Sequence, residues 1–224
     1  MKGLDLHIHT MATKSDAKFE FALENLKKYV IDMELHGIAI TNHNLFDINQ
    51  YKSIAKELDD VIVFPGIEIN LEGGHLLLIS EINDIEEFSI KCKKVEDLIE
   101  DPKDYITLKQ FKEIYEDLGK YLLIPHYEKK PKIRKEIIED IREHILCGEV
   151  ASIKDFLRLN KDDKSLTPMW FSDLRASTNY DDFKHGVTYL DIDNVSLKEI
   201  KIAVKDKTKV TLSKTEGNSL FKID

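Results

Sequence analysis

Five residues near the start of the chain, Asp5-Leu-His-Ile-His9, carry the first chemical signal. Side chains alternate along a strand, so Asp5, His7 and His9 share one face while Leu4, Leu6 and Ile8 share the other. Two imidazoles on one rigid face can bind a metal ion, with Asp5 placed to orient them from behind. The arrangement recurs. His43 closes Ile38-Ala-Ile-Thr-Asn-His, and Glu68 follows Val61-Ile-Val-Phe-Pro-Gly-Ile. His126 ends Tyr121-Leu-Leu-Ile-Pro-His, and Asp173 ends Met169-Trp-Phe-Ser-Asp. Each is a nitrogen or carboxylate donor just past an apolar run, and in parallel α/β architectures such strand ends meet on one face. His75 instead opens a strand after Glu72-Gly-Gly, where two glycines permit a tight return beside Glu68. Histidine with Asp and Glu, without cysteine, suits Zn²⁺, Mn²⁺ or Fe and argues against an iron–sulfur cluster.

These donors need elements to hold them. Strand-like segments over 4–8, 38–40, 61–64, 75–79, 121–124, 168–171, 186–190 and 209–212 alternate with helical patterns. The helical patterns cover 19–35, 48–58, 108–118, 133–145 and 197–204. Such a βαβα rhythm implies a mainly parallel sheet with helices outside it, either open and doubly wound or closed into a barrel. Segments 81–104 and 151–167 are weakly patterned and read as insertions or long loops. With no internal repeat or Pro/Gly-rich linker, residues 1–224 read as a single domain.

The 224 residues carry a formal net charge of −9, with 42% hydrophobic and 33% charged side chains. That balance excludes disorder and a disulfide scaffold and fits a compact cytoplasmic protein. No apolar run spans a membrane, and the N-terminus lacks a signal-peptide pattern. Cys92 and Cys147 are isolated and read as reduced and buried. The acidic balance argues against nonspecific adhesion to nucleic acid but leaves room for a local basic patch. His36, His144 and His185 read as capping or surface residues, and Trp170 as core.

Taken in order, DLHIHT, AITNHN, PGIEI, GGHLL, IPH and FSD resemble the motifs of the PHP (polymerase and histidinol phosphatase) family, over residues 4 to 175. The resemblance implies a distorted (βα)₇ TIM-like barrel with its metal site at the C-terminal ends of the strands. It also implies two or three divalent ions that hydrolyse phosphoesters by a metal-activated water. His7 and His9 then match the HxH ligands, and Glu68 the bridging carboxylate that turnover requires. His75 and His126 match ligands of the second metal, and Asp173 the aspartate that joins His7 and His9. His43 and Asp16 match ligands of the third. The family usually ends its last motif SDxH, whereas this chain reads Ser172-Asp-Leu-Arg175. Arginine stays protonated and is no ordinary ligand. Arg175 therefore either replaces the third metal's charge and clamps a substrate phosphate, or pairs with a nearby acid such as Asp16.

Residues 128–135, just after His126, hold five basic residues and one acid, including Lys129 and Lys130. A basic rim there could bind substrate and hold a polynucleotide backbone, which favours a nuclease. A solvated loop is the plainer reading. The alternatives are a small-metabolite phosphomonoesterase and a catalytically weak metal-binding regulatory module. From Gly186 onward the sequence resembles segments closing PHP modules that precede SMC- or AAA-type ATPase domains. There a strand like Ser219-Leu-Phe-Lys-Ile leads into a P-loop, so an ATPase domain or partner is an expectation. No GxxxxGK[ST] occurs in this chain.

Overall fold

The apolar strand segments assemble as one curved sheet. The structure, a computed structural model, describes residues 1–176 and 186–213. Its strands are β1 (Lys2–His9), β2 (Gly37–Ile40), β3 (Ile62–Leu71), β4 (Gly74–Ile79), β5 (Leu122–Glu128), β6 (Cys147–Val150), β7 (Thr167–Trp170), β8 (Leu174–Arg175), β9 (Thr188–Leu190) and β10 (Val210–Thr211). Their order is β10-β9-β1-β2-β3-β4-β5-β6-β7, with β8 paired to β1. The two sides of the sheet meet where Thr188 Oγ1 accepts from Trp170 N at 2.8 Å and donates to Trp170 O at 2.9 Å. The result is a nearly closed barrel, the distorted TIM-like architecture that the family resemblance implied.

Seven helices are described: α1 (Leu23–Asp32), α2 (Ile48–Glu57), α3 (Ile85–Leu98), α4 (Leu108–Tyr115), α5 (Lys135–Asp140), α6 (Ile153–Asn160) and α7 (Leu197–Ala203). α1 and α2 pack Leu26, Tyr29, Val30, Tyr51 and Ile54 against Ile8, Ile38, Ile40 and Val63. α3 to α5 cover the β3–β4 hairpin with Phe88, Val95, Phe111 and Ile137.

Several elements differ from expectation. The sheet is mixed, because β3–β4, β4–β5, β1–β9 and β9–β10 pair antiparallel. β3 does not stop at Phe64 but runs on to Leu71 and hairpins into β4. The helix expected over 19–35 begins only at Leu23, since Ala22 N–H bonds to Ala176 O at 2.8 Å and holds that stretch extended. The helix expected over 133–145 shrinks to α5, as Ile133 N is tied to His126 O at 2.9 Å. His144 ends a short 3₁₀ turn after it. Segments 81–104 and 151–167 are not simple loops: they hold α3 and α6, the latter capped by Ser152, whose hydroxyl accepts from Asp155 N. No helix among the described residues is long and apolar enough to cross a membrane. His185 and the Ser219-to-Ile223 stretch lie outside the described residues.

Candidate metal centre

The donors predicted at the strand ends converge on Glu68. This carboxylate sits mid-way along β3, and an isolated parallel bridge ties His43 to it through the backbone. Its two oxygens face different histidines. Oε2 lies 3.0 Å from His7 Nε2, 3.2 Å from His9 Nε2 and 3.2 Å from His43 Nδ1. Oε1 lies 2.7 Å from His75 Nδ1 and 3.2 Å from His126 Nε2. The five imidazoles close a ring around it, His7–His9–His43–His75–His126 and back to His7. Successive ring centres are 5.0, 4.8, 5.3, 5.3 and 5.5 Å apart.

Local chain features put each ligand there. His75 enters through the β3–β4 turn, where Gly73 and Gly74 take φ of 84° and 149°, and the pairing sets it opposite Asn70. Asp173 adopts φ 55°, a left-handed conformation that Asp tolerates better than most residues. From there its Oδ1 reaches His9 Nε2 at 3.1 Å and His7 Nε2 at 3.4 Å. Asp5 does not orient the imidazoles as expected. Its carboxylate instead accepts from Tyr29 of α1 at 2.7 Å, from the Ser172 hydroxyl at 2.5 Å, and from His7 N. Ser172 Oγ in turn accepts from Leu174 N, so Asp5 buttresses the turn that presents Asp173. Burial lifts the Asp5 carboxyl to about 6, although these hydrogen bonds pull the other way.

One acid at the centre was not read from the sequence. Glu149, in the middle of β6, is fully buried and holds His7 Nδ1 with both oxygens, at 3.0 and 2.9 Å. Its Oε2 also lies 3.2 Å from His126 Nε2. Lys129, expected on an outer rim, turns inward. Its Nζ sits 2.7 Å from Glu149, 3.0 Å from Asp173 Oδ2 and 2.9 Å from His7 Nδ1. Lys130 stays exposed on the loop that follows and takes no part in the cluster. Arg175 bonds Asp16 Oδ1 at 2.9 Å and the Asp173 carboxylate.

These residues fit divalent metal ions. His126 is almost wholly buried, yet neither of its nitrogens makes a well-directed hydrogen bond, and nor do His9 Nδ1 and His43 Nδ1. His7 Nε2 and His9 Nε2 stand 3.0 Å apart. Two nitrogens bound at about 2.1 Å to one ion would be separated by roughly 3.0–3.5 Å. Among the described residues, four groups of three donors each lie within 4.8 Å of one another: His7/His126/Glu149, His7/His9/Glu68, His9/Asp16/His43 and His43/Glu68/His75. Buried, unpartnered nitrogens beside carboxylates are costly without an ion to share.

Electrostatics agree. Burial resists ionising Asp173, yet His7, His9 and Lys129 hold its carboxyl far below the usual range. Glu149 is held low against burial in the same way, by His7, Lys129 and His126. Burial lowers His126 and brings His43 down to about 4, leaving both neutral near pH 7 as ligands must be. Burial also pushes the Cys147 thiol up to about 12 and raises Cys92, and both cysteines belong to the apolar core.

The sequence matches the PHP domain family model over residues 5–177. The chain belongs to the PHP domain family. No curated protein matches it. In fold it is similar to a two-domain protein from Bacteroides vulgatus containing a predicted PHP-like metal-dependent phosphoesterase. That pair shares 16% identity at a TM-score of 0.61, covering 93% of this chain and 63% of the other. This PHP chain thus spans less than two thirds of the Bacteroides protein. A predicted metal-dependent phosphoesterase from Bifidobacterium adolescentis gives 13% identity and a TM-score of 0.51, covering 90% and 95%.

Beside the PHP centre opens a cleft of about 470 Å³, reached at His43. Ala12 to Ser15, Asn44, Leu45 and the end of α3 line it. Its far wall is acidic, with Glu96, Asp97 and Glu100, and Lys93 pairs with the first two. Lys14 lines it as well.

Proposed function

We propose that this chain is a metal-dependent phosphoesterase built on a two-ion centre. The observation that carries the reading is Glu68, whose separate oxygens address the His7/His9 pair and the His75/His126 pair. Divalent ions bound there would lower the pKa of a water towards about 7 and neutralise phosphoryl oxygens. The protein's own part is to hold the donors. Glu68 would offer an oxygen to each side of the centre, Asp173 would complete the His7/His9 side, and Glu149 steadies His7. Manganese, zinc and iron all suit a nitrogen–carboxylate set without thiolate.

Within that class the surroundings favour a small phosphoester over a nucleic-acid strand. The expected basic rim is thinned: Lys129 turns into the cluster and Lys132 pairs with Glu128 at 3.0 Å, which leaves Lys130, Arg134 and Lys135 exposed. The adjoining cleft presents an acidic wall, which repels a polyanion.

The test is to incubate manganese-loaded protein with p-nitrophenyl phosphate and, separately, with end-labelled single-stranded DNA and RNA. A chelated sample and His9→Ala serve as controls. Metal-dependent release from the monoester alone is the expected result. Metal-dependent fragments of the labelled strands would restore the nuclease reading. Metal bound without turnover of either would leave a metal-binding regulatory module.

A further inference from the structure

His9, Asp16 and His43 bring three donor atoms close enough for a cation of their own. Arg175 already stands in that corner. Its Nη2 donates to Asp16 Oδ1 at 2.9 Å and lies 3.4 Å from His43 Nε2. Its Nη1 donates to the Asp173 carboxylate and, at 3.0 Å, to the Asp173 carbonyl. The backbone fixes this placement, because Arg175 is the ladder partner of His9 where β8 pairs with β1.

We infer that the Arg175 guanidinium takes the place of a third metal ion, so that the chain binds two divalent ions and supplies the next positive charge itself. The inference rests on the metal-centre reading above. A guanidinium does not lose its proton in proteins, so the occupant is permanent. It satisfies Asp16, the carboxylate of that donor triad, and it opposes entry of a divalent cation by like charge at contact distance. The chemical consequence is a division of labour. An arginine can donate to a phosphoryl oxygen, but it cannot activate water as a metal does. Water activation is thereby confined to the two ions held around Glu68.

The test counts metal rather than turnover. Wild-type protein, Arg175→His and Asp16→Asn are dialysed to equilibrium against Mn²⁺, and manganese per chain is measured by mass spectrometry. Two ions per wild-type chain and three in Arg175→His are expected, since histidine removes the charge and adds a donor. Asp16→Asn should keep two ions, and added to Arg175→His it should cancel the third. Three ions in the wild type, or only two in a folded Arg175→His, would overturn the inference alone. Should Arg175→His fail to fold, Asp16→Asn decides by itself, because loss of an ion there would make Asp16 a ligand. No bound metal in the wild type would overturn the metal-centre reading as well.

Discussion

Glu149 holds the Nδ1 of His7 with both carboxylate oxygens, at 3.0 and 2.9 Å, where neither side chain has any solvent exposure. An Nδ1–H donated to a carboxylate fixes the ring in the tautomer whose Nε2 lone pair is free for a metal. Glu149→Gln keeps the shape but weakens that grip and leaves Lys129 without its main counter-charge. Metal affinity should fall about 10–100-fold. Competition with a chromogenic chelator measures it. An unchanged affinity would mean that Glu149 serves the fold alone.

Protons and metal ions compete for His7. Burial by itself would lower this imidazole, but Glu149, with Asp173 and Glu68, outweighs burial and lifts it to about 10. His7 is therefore protonated in the metal-free protein near pH 7 and must lose that proton to become a ligand, whereas His43, at about 4, has none to lose. Affinity should rise with pH, by about tenfold per unit for one displaced proton, until the pH approaches about 10. Titration calorimetry in two buffers of different ionisation enthalpy should report about one proton released per chain. Metal uptake with no proton release would contradict this account of His7.

Gly74 marks how the hairpin delivers His75. At φ 149°, a Cβ on this residue would come 2.3 Å from Ile133 Cα and 2.5 Å from Ile133 N, a collision with backbone that no rotamer relieves. The same loop accepts from His75 N through Pro131 O at 3.2 Å. Gly74→Ala should cost at least about 1–3 kcal/mol, lowering the melting temperature by roughly 3–10 °C, and should weaken metal binding by displacing His75. Melting like the wild type, read by circular dichroism, would show that the turn relaxes freely.

Asp5 tests the buttress beneath Asp173. Its folded carboxyl stands at about 6 against an ordinary 3.8. A raised carboxyl contributes stability that is fully present below the unfolded value and is lost as pH rises through about 6. Asp5→Asn has no such titration, so its stability should fall less between pH 4 and 7 than the wild type's. Asp5→Ala, which removes the carboxylate that Tyr29 Oη and Ser172 Oγ donate to, should cost about 2–4 kcal/mol. Urea unfolding of the metal-free proteins across that range would check both; parallel pH profiles for wild type and Asp5→Asn would contradict the raised carboxyl, and a wild-type-like Asp5→Ala would contradict the buttress.

Some donors were legible in the sequence because they follow apolar runs, His43 after Ile38-Ala-Ile and His126 after Tyr121-Leu-Leu-Ile; His7 and His9 were legible from their alternation on one strand face. Glu149 had no such flag. β6 is only Cys-Gly-Glu-Val, too short and too small to stand out, and its acid lies within the strand rather than past it. Lys129 read as rim because a run of lysines normally marks solvent, and only the fold reveals Glu149 beside it. α3 was readable in principle. Ile85, Phe88, Cys92 and Val95 keep helical spacing, but the exposed Ile90 and Leu98 blur the stripe. The antiparallel β3–β4 hairpin was hidden because an apolar run predicts a buried strand without its direction.

The central claim is that Glu68 joins two ions into one hydrolytic centre. Its most direct test is a paired measurement, manganese content and p-nitrophenyl phosphate hydrolysis, on wild-type protein and Glu68→Gln. Wild-type protein should hold two ions and turn over only when loaded, whereas Glu68→Gln should lose at least one ion and about 10³-fold or more in kcat. A Glu68→Gln protein that keeps both its metal content and its turnover would contradict the account.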